Sequence, residues 1–100
     1  MSQTVPLGWI QTDRALTRTL QRADFVEALA LVMEIGKLAE AANHHPDIDL
    51  RYRTLHLSLS THSAGNTVTA KDYALAQRIN DLNEDAIRLN SDELRRRFQA

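Results

Sequence analysis

The stretch from Asp24 to Pro46 constrains this chain most. Phe25, Leu29, Val32, Met33 and Gly36 recur at helical spacing, and Asp24 with Glu27 forms an N-cap and its N3 partner ahead of them. The strongest helix of the chain is therefore expected from Asp24 to about Asn43, before Pro46 disfavours helical geometry in the residue that precedes it. An amphipathic helix needs a second layer to cover its apolar stripe. The alternation of Leu55, Leu57 and Leu59 against Thr54, His56, Ser58, Ser60 and His62 supplies one, in the form of a half-buried strand.

Further elements fall on either side. Leu16 and Leu20 alternate with Ala15, Thr17 and Thr19, and Asp13-Arg14 separates this run from Trp9-Ile10-Gln11, so a hairpin is expected there. Ala64-Gly65-Asn66-Thr67 reads as a loop, after which Thr69 and Asp72 form a second capping box ahead of Leu75, Ala76, Ile79 and Leu82. A third helix is expected from Ser91, with Asp92 and Glu93 in its first turn and Arg95, Arg96 and Arg97 near its end. The order hairpin, helix, strand region, helix, helix suits an α+β fold, an antiparallel sheet with helices packed on one side as a two-layer sandwich. Residues 1–100 are expected to form a single domain.

Charge and composition exclude several classes of function. Twelve Lys and Arg against 13 Asp and Glu leave a formal net charge of −1, so the chain carries no electrostatic footprint for nucleic acid or an anionic membrane. Without cysteine there are no disulfides and no thiolate chemistry, which is compatible with a reducing compartment. The start Met-Ser-Gln-Thr-Val-Pro-Leu-Gly-Trp lacks the basic and apolar regions of a signal peptide, and the apolar run Ala28 to Met33 is too short to span a bilayer. A soluble cytoplasmic protein is expected.

Candidate chemistry lies with the histidines. Glu40 and His44 are four apart at the C-terminal end of the long helix, which places the carboxylate and the imidazole on one face, so they can pair. The carboxylate and the helix C-terminus both favour positive charge there, making His44 a candidate proton donor; the alternative is a plain surface ion pair. His45 must point elsewhere, and Pro46 sets the exit of the backbone behind both rings. His62 ends the alternating strand on its polar face, whereas His56, within that strand, reads as solvent-facing. Asp72 either orients an imidazole or serves only as the N3 carboxylate of the Thr69 cap. No HExxH or comparable ligand spacing is present, so no metal is expected.

Taken together, Glu40-x3-His44-His45-Pro46-x5-Tyr52-x9-His62-x9-Asp72 resembles the signature of the pterin-4a-carbinolamine dehydratase family. The similarity runs from Gly8-Trp9 through Asp24-Phe25, LAEAANHHPDIDLRY, LSLSTH and TAKDYALA, roughly three-quarters of the chain. The resemblance implies dehydration of a 4a-hydroxytetrahydropterin to quinonoid dihydropterin and water, in tetrahydrobiopterin recycling. It implies His44, His45 and His62 as pocket histidines, Glu40 supporting His44, Asp72 near His62, and Tyr52 packing close by. No cofactor is implied. The expected partners are the small pterin substrate and further copies of the chain, as a homodimer or homotetramer.

The chain also departs from the family pattern. It lacks most of the initial helix, Leu20 and Arg22 stand where aromatic residues are common, Ser63 replaces an acid, and the tail is extended by a helical segment from about residue 84. Leu94 and Phe98 on that tail are expected to need cover from another subunit. The resemblance carries an alternative reading too, a non-catalytic assembly or coactivator protein on the same fold, such as a Rubisco assembly factor.

Overall fold

The structure, a computed structural model, describes residues 4–99. Strands β1 (Ile10–Gln11), β2 (Leu16–Gln21), β3 (Asp47–Arg51) and β4 (Thr54–Leu59) form one antiparallel sheet in the order β1-β2-β4-β3. Helices α1 (Phe25–Ala42), α2 (Ala70–Asn80) and α3 (Glu84–Phe98) complete the α+β fold.

Register explains which face is covered. Leu16, Arg18 and Leu20 of β2 lie opposite Leu59, Leu57 and Leu55 of β4, and Ile48 and Leu50 of β3 lie opposite Leu57 and Leu55. These residues share the helix-facing side, where Leu16, Leu55, Leu57 and Leu59 meet Ile35, Leu75, Ile79 and Ile87 in the core. Fully burying each such side chain contributes about 1.5–3 kcal/mol. Thr17, Thr19 and Gln21 pair with Ser58, His56 and Thr54 on the other side, so that face is hydroxyl-rich and polar.

The first hairpin turns without glycine because Thr12 closes it. Its amide donates to the Ala15 carbonyl (2.8 Å) and its hydroxyl oxygen accepts from the Ala15 amide (3.1 Å). The second hairpin, β3 to β4, turns at Tyr52-Arg53 with Tyr52 at φ 55°, a left-handed conformation that costs a bulky residue about 1–3 kcal/mol. Nothing in its residue types announces this turn.

Both expected caps are present. Asp24 accepts from the Glu27 amide (2.9 Å), and Thr69 and Asp72 form the complete capping box of α2. The last helix starts at Glu84 behind an Asn83 cap and runs continuously to Phe98, so the helical segment expected from about residue 84 and the helix expected from Ser91 are one element. Ser91 is therefore no cap; it is buried within α3, its hydroxyl donating to the Arg88 carbonyl (3.1 Å).

That longer helix packs along α1 in its own chain. Leu94 reaches the core of the same subunit, which removes the need for outside cover there, while Phe98 remains 60% exposed. Charge pairs fasten the helix at both ends: Arg22 to Glu84 (2.7 Å) and Arg95 to Asp24 (2.6 Å). Among the described residues, no helix is long and apolar enough to cross a membrane.

Candidate active site

The end of α1 decides where the two adjacent histidines go. Asn43 adopts φ 49°, ψ 44°, and the His44 amide then reaches back five residues to the Ala39 carbonyl (3.1 Å). A left-handed residue with this bond is the geometry that stops a helix and reverses the chain, with asparagine in the place glycine usually takes. The helix ends at Asn43 by this reversal, ahead of Pro46.

Because His44 is already off the helix, the i,i+4 pairing with Glu40 does not form. His45 folds back onto Glu40 instead, Nε2 to Oε2 at 2.5 Å, and His44 points to Asp72, Nε2 to Oδ1 at 2.6 Å. The implied partners are thus exchanged: Glu40 supports His45, and Asp72 supports His44 rather than His62.

The two pairs differ in burial. The His44 and Asp72 side chains are 12% and 0% exposed, against 55% and 80% for His45 and Glu40. Asp72 resolves its two sequence readings by being both, since its Oδ2 closes the α2 cap by accepting the Thr69 amide (2.9 Å) while Oδ1 holds the imidazole. The same Oδ2 accepts the Thr61 hydroxyl (2.8 Å).

His62 lies just past β4, at the start of a 3-10 turn (His62–Ala64), rather than on the strand itself. The turn is held by Thr61, whose amide donates to the Thr67 carbonyl (2.9 Å) and whose carbonyl accepts from Asn66 (3.1 Å). Asn66, at φ 58°, places its side-chain oxygen 2.6 Å from His62 Nδ1.

One cavity of about 330 Å³ is lined by residues that include His44, His45, Pro46, Thr61, His62 and Lys71. The three expected pocket histidines therefore meet in one place. Each keeps one ring nitrogen on a protein oxygen and has the other without a protein partner among the described residues. Such groups can accept or deliver protons at a bound molecule.

Tyr52 does not belong to this place. It occupies the opposite end of the β3–β4 hairpin, 67% exposed, with all of β3 between it and Pro46. His56 faces the polar side of the sheet and bonds the Thr19 hydroxyl (2.9 Å), in a shallow groove of about 390 Å³ that is comparable in size to the histidine cavity. Size does not decide between them; the groove holds one imidazole and the cavity holds three. Sequence reasoning missed Thr61, Asn66 and Lys71. Only the adjacency of Thr61 to His62 and of Lys71 to Asp72 could have pointed to them.

Comparison with known proteins gives the arrangement its relatives. The sequence model described as "Pterin 4 alpha carbinolamine dehydratase" matches residues 1–82. A Roseiflexus castenholzii protein named "Putative pterin-4-alpha-carbinolamine dehydratase" is 47% identical over 75 residues, covering 75% of this chain and 80% of its own. A Thermomicrobium roseum protein of the same name is 46% identical over 80 residues, covering 80% and 84%. Among solved structures, a transcriptional coactivator/pterin dehydratase from Brucella melitensis superposes with a TM-score of 0.70 at 31% identity, covering 75% of this chain and 81% of its own. A pterin dehydratase-like RuBisCO assembly factor of the alpha-carboxysome gives 0.59 at 16% identity over 73% and 83%, a likeness of fold alone.

Proposed function

We propose that this chain, which belongs to the pterin-4a-carbinolamine dehydratase family, converts a 4a-hydroxytetrahydropterin to quinonoid dihydropterin and water by histidine acid/base catalysis. The observation that carries this reading is the meeting of His44, His45 and His62 in one cavity, backed by the buried carboxylate of Asp72. In the reaction the C4a–O bond breaks as a proton is delivered to the departing hydroxyl, a proton leaves N5, and the C4a=N5 double bond forms. One imidazole supplies the first proton and another accepts the second, so the proposed reaction needs no metal or organic cofactor.

Self-association and a cytoplasmic setting belong to the same proposal, with a homodimer or homotetramer as the assembly. Phe25, Met33 and Phe98 leave apolar surface outside the core, which a second copy would cover. Light scattering of the purified protein reads the mass directly.

The alternative, an assembly or coactivator role without catalysis, needs none of the three imidazoles. Turnover of 4a-hydroxytetrahydropterin beside a His62→Ala control separates the two. We expect kcat to fall about 10²- to 10⁴-fold in the variant and to be unaffected by chelators in the wild type. Wild-type protein without measurable turnover would favour the alternative.

A further inference from the structure

The supports of Asp72 form a chain with a single direction. The Thr61 hydroxyl has one proton, and it is spent on Asp72 Oδ2 (2.8 Å). The 2.6 Å contact between the Thr61 and Thr69 hydroxyls must then be a donation from Thr69, whose own oxygen accepts from the Lys71 amide (3.3 Å). The Thr69 amide also donates to Oδ2 (2.9 Å). Every proton in this cluster points toward the carboxylate, and Oδ2 is occupied by two donors. Oδ1 is left to face His44 Nε2 at 2.6 Å, so that nitrogen must carry a proton as well.

We propose that Thr61 and Thr69 are positioning residues which aim the Asp72 carboxylate so that His44 is held as the Nε2–H tautomer, leaving Nδ1 as its reacting nitrogen. Nδ1 has no protein partner among the described residues, and His44 lines the cavity. The tautomer stands on the geometry alone; its catalytic consequence rests on the dehydratase reading.

The arrangement also dictates what an amide in place of the carboxylate must do. In Asp72→Asn the two donors at the Oδ2 position admit only the amide oxygen, which turns the NH₂ group toward His44. His44 Nε2 must then accept, and the proton moves to Nδ1.

The test uses ¹⁵N-labelled full-length protein and long-range ¹H–¹⁵N spectra of the neutral imidazoles, with His44→Gln assigning the His44 signals. We expect the Nε2–H pattern in the wild type and the Nδ1–H pattern in Asp72→Asn. An Nδ1–H pattern in the wild type, or no inversion in the variant, overturns the tautomer assignment whether or not the protein has dehydratase activity. For Thr61, we expect Thr61→Val to lower kcat about tenfold with KM unchanged and Thr61→Ser to restore it, the loss of one hydrogen bond to a charged group. Wild-type kcat in Thr61→Val, or no rescue by serine, removes Thr61 from the positioning role. The wild-type spectrum and the Asp72→Asn spectrum still decide the tautomer should the valine variant fail to fold.

Discussion

His44–Asp72 and His45–Glu40 are the same pair of chemical groups at nearly the same distance, 2.6 and 2.5 Å, yet they are different objects. Asp72 is fully buried and bonded to Thr61, Thr69 and His44, whereas the Glu40 side chain is 80% exposed and, among the described residues, bonded to His45 alone. Water competes for every bond of the second pair and for almost none of the first. Distance does not rank them. Burial and the number of partners that depend on each carboxylate do.

The largest expected effect is on turnover when the buried carboxylate becomes an amide. Asp72→Asn keeps shape and cap but reverses the hydrogen bonding at His44, so kcat should fall about 10²- to 10⁴-fold while KM changes little. Steady-state kinetics check it. A decrease no larger than that of Glu40→Gln would erase the difference between the two pairs.

Next comes stability. Asp72→Ala removes the cap of α2 and strands the Thr61 hydroxyl and the Thr69 amide, which should cost about 2–4 kcal/mol in urea denaturation. Glu40→Ala should stay within about 0.5 kcal/mol of wild type. Equal losses would mean that Asp72 owes nothing to its burial.

The same contrast extends to α3, which is held by core packing along α1 and by charge pairs at its ends that are more open to water than Asp72. The Arg22 side chain holds the Glu84 carboxyl below its ordinary range, and Asp24 is held low by the Glu27 amide and then by Arg95. A carboxyl depressed in the folded state contributes stability that is present above its unfolded value and lost as pH falls through its folded one. From neutral pH down to about 5 the attachment of α3 should therefore be unchanged, and below about 4 it should weaken. Hydrogen exchange of α3 amides across this range checks it, with salt producing a similar, smaller loosening at neutral pH.

Much of the fold could be read directly from residues. Asp24, Thr69 and the alternation through Leu55, Leu57 and Leu59 are local signals, and each cap and the buried face of β4 followed them. The histidines stood out as a set through the spaced motif that resembles the family's, but their partners in this structure did not. The pairing of Glu40 with His44 assumed a helix continuing through residue 44, and a left-handed Asn43 redirects everything after it. Tyr52 was set near the histidines by the resemblance alone, and the turn that carries it to the far end of the β3–β4 hairpin has no glycine or asparagine to mark it. Ser91 looked like a cap from its neighbours alone. The stronger start at Asn83, with Glu84 and Asp85 behind it, made one long helix instead.

The smallest expected effect is at the rim. Glu40→Gln keeps a hydrogen-bond acceptor within reach of His45 Nε2, and the pair is already screened by water, so stability should shift by no more than about 0.5 kcal/mol. Turnover should fall less than about tenfold, because His45 loses a charge beside it without losing its place at the cavity wall. Raising ionic strength should reproduce part of the change in the wild type and almost none in the variant, since only the charged pair responds to screening. A loss on the scale of Asp72→Asn would show that His45 depends on Glu40 as His44 depends on Asp72, and would make the exposed pair an equal member of the site.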